Sequence, residues 1–233
     1  MEQSHFFSAG RSAERRLTRS FVLERFSGQS GTGRRSSAGK VPGEPVGLRG
    51  DHSLTPGGRP PDRLLTPAAV LVPIVDRAER LTVLLTQRTA HLADHAGQIA
   101  FPGGRIEPSD ADPVAAALRE AHEEVGLPSD HVEIIGRLDT YLTGTGFEVT
   151  PVVGLVRAPY PSKLDAFEVA EMFEVPLDFV VDPVNHQRGS REWKGTTRTF
   201  FVLPYENRYI WGATAGMLVN LAEILAADPV TGR

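Results

Sequence analysis

The chain has 233 residues, 40% of them hydrophobic, enough for one good-sized domain with a single core but scarcely for two. A formal net charge of −4 gives no overall electrostatic reason to bind nucleic acid, whose partners carry a strong basic excess, but is compatible with a small anionic substrate whose charge local positive groups and metal handle. Cysteine is absent, which rules out a disulfide scaffold and is compatible with a reducing, cytoplasmic setting, and no run of about 18 apolar residues is present to span a membrane. In chain order, residues 1–50 are rich in Arg, Ser and Gly and sparse in apolar side chains, and so predict a largely disordered basic tail. Its acidic residues and lack of a sustained amphipathic pattern favour a plain tail, or a start placed too far upstream, over a targeting signal. Pro56, Gly57, Gly58, Pro60 and Pro61 then mark a linker, which sets tail and linker at residues 1–62 and the folded domain at 63–228. Val70 to Val75 and Leu81 to Gln87 predict two strands joined by a polar turn. Further strands are expected over Val132 to Leu142, Val149 to Val156 and Arg198 to Tyr205. A short helix should follow Pro176, and a final Thr-capped helix should run from Thr214 to Ala226. Strands interleaved with helices make this an α/β protein with a mixed sheet and helices on its faces.

One helix is unusually well marked: Asp112 as N-cap, Pro113 at its first position, Gly126 just past its end and Pro128 beyond. At roughly 100° per residue, Glu120, Glu123 and Glu124 project on one side of it, opposite an apolar stripe of Val114, Leu118, Ala121 and Val125. Acids three and four residues apart repel by a few tenths of a kcal/mol per pair. They therefore call for positive charge, which Arg119 supplies in part and a hard divalent cation, Mg²⁺ or Mn²⁺, can complete. The stripe predicts that all three glutamates are displayed toward solvent or a cleft. Upstream, Gly103 and Gly104 form a turn that lets backbone approach a ligand or metal where a side chain would block it.

These residues closely resemble the Nudix box, in which a glycine, five residues, a glutamate and seven residues precede Arg-Glu-apolar-x-Glu-Glu-x-Gly-apolar. Its second half matches at Arg119, Glu120, Ala121, Glu123, Glu124, Gly126 and Leu127. The first half departs from it: Asp110 stands where the pattern has glutamate, and eight residues instead of seven separate it from Arg119, so no role is carried onto Asp110. The preceding run from Leu84 to Gly104 is similar to the signature of coenzyme A diphosphatases within that superfamily, although Ala93 replaces a frequent basic residue. Ile210 to Gly216 resembles the end of the same subfamily, and the likeness covers roughly residues 64 to 226.

The resemblance implies a Nudix α/β/α sandwich and metal-dependent splitting of coenzyme A or its derivatives into 4′-phosphopantetheine and adenosine 3′,5′-bisphosphate. Glu120, Glu123 and Glu124 would hold the metal, with a backbone carbonyl near Gly104, and Arg119 would orient Glu123. The general base stays open among Glu123, Glu168 and Glu171. Arg88, His91, His95, Gln98 and Gly103 are candidates for substrate contact, since they lie in or just before the glycine turn and arginine forks suit phosphate oxygens. His122 reads as a helix-surface residue. The alternatives are a diphosphatase for another nucleoside diphosphate derivative such as ADP-ribose, and a Nudix-fold module that binds a nucleotide without hydrolysing it. The assembly, homodimer or otherwise, stays open.

Overall fold

The structure, a computed structural model, describes residues 17–28, 47–55, 60, 63–91, 96–193 and 195–227. Its centre is the pair β2 (Thr66–Asp76) and β8 (Phe147–Arg157), which run parallel in register from Thr66 opposite Phe147 to Asp76 opposite Arg157. Both read as long apolar runs because both faces are covered. Ala69, Leu71 and Val75 pack on one side, Ala68, Val72 and Ile74 on the other. β3 (Leu81–Arg88) turns back antiparallel to β2, with Ile74 opposite Val83. Around this frame the sheet is completed by β1 (Leu48–Gly50), β4 (Ile99–Ala100), β5 (Gly103–Arg105), β6 (Val132–Arg137), β7 (Thr140–Leu142) and β9 (Val169–Pro176). The path runs β1-β7-β8-β2-β3-β4, with β5 on β2, β6 on β8 and β9 on β3. Parallel and antiparallel pairs both occur, so the sheet is mixed as expected.

Helices cover both faces. α2 (Pro113–Val125) lies on one, burying Ala116, Ala117, Ala121 and Val125 against Leu71, Leu84 and Val152. The other carries α1 (Arg19–Gly28), α3 (Leu177–Val181) and α4 (Gly212–Ala226), whose Val22, Phe26, Val180, Leu218 and Leu221 share a core with Val72, Ile74 and Val153. A separate antiparallel sheet of β10 (Gln187–Trp193), β11 (Thr196–Tyr205) and β12 (Arg208–Trp211) adds Leu203 and Ile210 to that second core. The result is an α/β/α sandwich.

Three expectations need correction. First, the stretch assigned to tail and linker contains folded structure. α1 begins after Thr18, whose Oγ1 accepts from the N–H of Phe21 at 3.2 Å, and it buries Val22 and Phe26 completely. Each such side chain contributes roughly 1.5–3 kcal/mol of burial, which an Arg- and Ser-rich surrounding does not cancel. Farther on, Arg49 Nε donates to Asp139 Oδ2 at 2.6 Å and Tyr141 Oη donates to Asp51 Oδ1 at 2.6 Å, while β1 pairs in parallel with β7. Residues 1–16, 29–46, 56–59 and 61–62 of the same stretch, with most of the expected linker, lie outside the described residues. Second, the strand expected over 132–142 is two strands, β6 and β7, with a register shift between Ile134 and Gly136 opposite β8. Third, α4 starts two residues before Thr214, whose hydroxyl donates to Ile99 O at 3.0 Å and so ties the helix to β4 instead of capping it.

Candidate active site

Both ends of α2 are built as the sequence predicts. Asp112 Oδ1 accepts from Ala115 N at 2.8 Å, and Gly126 takes φ +67° with its N–H donating to His122 O at 2.9 Å. Beyond that end the chain doubles back: Lys163 N donates to Val125 O at 3.0 Å and Asp165 N to Glu124 O at 2.9 Å. The last turn of the helix thus anchors the segment that leads to Glu168.

Arg119 is the hub of the outer side. Its Nε and Nη2 fork onto Asp110 Oδ1 and Oδ2 at 3.0 and 2.9 Å, Nη1 donates to Glu120 at 3.0 Å and to Glu123 at 3.2 Å, and Nη2 reaches Arg105 O at 3.2 Å. Orientation of Glu123 is therefore one of several bonds it makes. Asp110, to which no role was assigned, is the bidentate partner. Those bonds from Arg119 hold the Asp110 carboxyl below its usual range and raise the guanidinium.

The three glutamates are not displayed alike. Glu123 is exposed and Glu120 half-buried, but Glu124 is 5% exposed and shares the buried face of α2 with Ala117, Ala121 and Val125. What covers it is the glycine turn: Gly103 N donates to Glu124 Oε2 at 3.3 Å. Glu120 lies against the next residue, where a Cβ on Gly104 would stand 2.4 Å from Glu120 Oε1, so a side chain there would push the carboxylate out of this position. Burial raises Glu120, with Arg119 opposing, and burial plus the Glu120 charge pushes Glu124 up to about 8.

Arg88 ends β3 on the same face as Leu84, where the register against β9 shifts between Gln87 and Arg88. Its Nη1 lies 3.6 Å from Glu124 Oε1 and 3.7 Å from Glu168 Oε2. Glu168 is held there by its neighbours: Thr89 N donates to Glu168 O at 2.9 Å and Thr89 Oγ1 to Phe167 O at 2.8 Å. So Arg88, Gly103, Gly104, Glu120, Glu124 and Glu168 lie together as one group. Glu171 does not join them; it faces the other side of the sheet, alongside Phe173, and pairs with Arg208. His91 stacks edge-on with Phe167, ring centres 4.9 Å apart, and Gln98 O accepts from Arg88 N at 2.9 Å. His95 lies outside the described residues, and His122 is exposed on α2.

Among the described residues, no three His, Cys, Asp or Glu side chains converge as a ready-made metal cage. The donor set still suits a hard divalent cation of the Mg²⁺ kind, which takes one or two protein carboxylates and otherwise keeps its waters or bridges to phosphate. Burial holds both Glu120 and Glu124 back from ionising, and the Glu120 charge adds to this at Glu124, so a cation beside them would favour their charged forms. Of the residues that sequence reasoning missed, Asp110 was signalled by its place in the departing half of the box, whereas Thr89 and Asp165 act through tertiary contacts and carried no signal.

The NUDIX domain family matches residues 65–172. A protein of Citrobacter koseri described as the uncharacterized Nudix hydrolase NudL is 44% identical over 162 residues, covering 70% of this chain and 84% of that protein. One of the same description from Yersinia pestis strain Pestoides F is 42% identical over 156 residues, covering 67% and 78%. Among solved structures, a C. elegans Ap4A hydrolase binary complex is 24% identical with a TM-score of 0.41, over 48% of this chain and 80% of that one. No helix of the described residues is long and apolar enough to cross a membrane.

Proposed function

The chain belongs to the Nudix family of hydrolases, and on that premise we propose that it is a Mg²⁺- or Mn²⁺-dependent diphosphatase acting on coenzyme A or its derivatives. Nudix hydrolases generally use divalent metal ions. The observation that carries the reading is the meeting of Glu120 and Glu124 at the Gly103-Gly104 backbone, with Glu168 on the far side of Arg88. Glu120 and Glu124 would hold the ion, which supplies neutralisation of the diphosphate and a more acidic water. Glu168, beside the same residues and tied through its backbone to Thr89, would accept the proton of the attacking water. The water oxygen joins one phosphorus, the bond from that phosphorus to the bridging oxygen breaks, and the departing phosphate keeps the electron pair. Glu171 is a weaker candidate for the base because Arg208 claims it, and Glu123 is weaker because it is exposed and shares Arg119. The choice of coenzyme A rests on the likeness of residues 84–104 to that subfamily's signature.

The test is to incubate the full chain with Mg²⁺ or Mn²⁺ and coenzyme A, acyl-CoAs, ADP-ribose or NADH, and to identify products by mass. The expected products are 4′-phosphopantetheine, or its acyl form, and adenosine 3′,5′-bisphosphate. Dominant turnover of ADP-ribose would replace the substrate assignment, and no turnover of any diphosphate would leave a nucleotide-binding module.

A further inference from the structure

Arg88 stands between two carboxylates instead of pairing with one. Its Nη1 is 3.6 Å from Glu124 and 3.7 Å from Glu168, beyond hydrogen-bonding distance in both cases. The guanidinium is thus held by charge without the directed fork that makes arginine pairs strong. Arg119, the neighbouring cation, makes such a fork with Asp110 and spends its remaining donors on Glu120, Glu123 and Arg105 O, so it is not free to serve Glu124 or Glu168. The backbone around Arg88 is fixed by Gln98 O and by the bonds of Thr89 to residues 167 and 168. A loosely held side chain on a fixed frame, facing two acids, is suited to exchange.

Resting on the reading of this site as a metal-dependent diphosphatase, we propose that Arg88 is an exchangeable counter-ion: it stays with Glu168, and with Glu124 as that group ionises, until a divalent cation takes Glu124 together with Glu120, and its guanidinium then turns to a phosphate oxygen of the substrate. Arginine and metal compete for the Glu124 carboxylate, so metal binding and the release of Arg88 from it are a single event. The substrate's phosphates gain a forked donor only once the metal is in place, which orders the two binding steps, metal first.

The counter-intuitive consequence is that deleting this positive charge tightens metal binding. Mn²⁺ affinity of the EDTA-stripped full chain is measured by electron paramagnetic resonance, without any phosphate, for wild type, Arg88→Gln and Arg88→Lys. Arg88→Gln is expected to bind Mn²⁺ about fivefold more tightly than wild type and Arg88→Lys within about twofold of it. Turnover by Arg88→Gln should show KM raised about tenfold or more with kcat less affected. Unchanged or weaker Mn²⁺ binding by Arg88→Gln overturns the proposal. Should that variant not fold, the wild type decides: the Nε–Hε resonance of Arg88, assigned by its absence in Arg88→Lys, is expected to shift on addition of Mg²⁺ alone, and an unmoved resonance overturns the exchange. A wild type that hydrolyses no diphosphate would sink the enzymatic reading, while the Mn²⁺ comparison still reads the exchange by itself.

Discussion

A carboxylate that is 5% exposed resists ionisation, and burial together with the Glu120 charge pushes Glu124 up to about 8 from the 4.5 of an unhindered glutamate. Between those two values the folded protein holds a proton that the unfolded chain has already released. Stability without metal therefore falls as pH rises through that window, by on the order of a few kcal/mol. Glu124→Gln carries an amide that does not titrate, which isolates the effect. In EDTA the variant is expected to melt above wild type at pH 8.5, with the gap closing by pH 5; equal midpoints at both pH values would contradict the burial argument. The same substitution removes a carboxylate that the metal needs, so turnover should fall at least about 100-fold in a protein that is still folded. Asp110 offers a contrasting case. Asp110→Asn leaves Glu120 and Glu124 in place but removes the charge from the fork that steadies Arg119. Activity is expected to drop about tenfold with the circular dichroism spectrum unchanged, and wild-type activity in that variant would show that Arg119 needs no anchor.

At the scale of the element, the two ends of α2 differ in what they support. The N-cap bond from Ala115 N to Asp112 is local, and Asp112→Ala should lower stability by about 1 kcal/mol in urea melts while leaving turnover within about twofold. Gly126 is placed differently. It adopts φ +67°, and a Cβ there would stand 2.6 Å from Lys163 N, the group that ties the returning chain to Val125 O. Gly126→Ala is therefore expected to cost about 1–3 kcal/mol and also to move the segment that carries Glu168. Assayed where both variants are folded, Gly126→Ala should lose far more turnover than Asp112→Ala, and equal losses would uncouple the end of the helix from the base. The ends of α2 were legible in the sequence because capping is a matter of adjacent residues. β2 and β8 were legible because burial on both faces writes a long apolar run. β5 was not, since Gly-Gly-Arg has no strand preference and forms one only by pairing with Ala68 to Val70. β9 was hidden for another reason: Glu171 and Glu174 interrupt its apolar residues, yet Arg208 holds one, and Arg77 and Thr82 hold the other.

At the scale of the whole molecule, the sequence misled most where composition was averaged. Arg and Ser dominate the first fifty residues, and that average conceals Phe21, Val22 and Phe26, which the fold collects on one side of α1. The burial of Glu124 was invisible for a related reason: helical spacing puts it beside Glu120, and only the Gly103 turn, brought in by β5 pairing with β2, closes over it. Neither fact is local, so no window of sequence contains it. The acids themselves were legible, whereas the approach of Glu168 depends on Thr89 and on Asp165 reaching the end of α2. These long-range ties make residues 17–28 and 47–55 part of the domain. α1 buries Val22 and Phe26 against the core that α4 completes, Arg25 donates to Ala227 O, Arg19 pairs with Glu133, and Arg49 joins Asp139 to Glu223. A chain beginning at residue 63 would keep the entire acidic group but expose the apolar groups beneath α1. Removing Phe26 alone to alanine should cost about 3–5 kcal/mol, so loss of the whole stretch is expected to lower the melting midpoint by about 10 °C or more and to favour aggregation. Differential scanning calorimetry of the full chain, Phe26→Ala and the shortened chain reads this directly. Equal midpoints for all three would return these residues to the status of a dispensable tail.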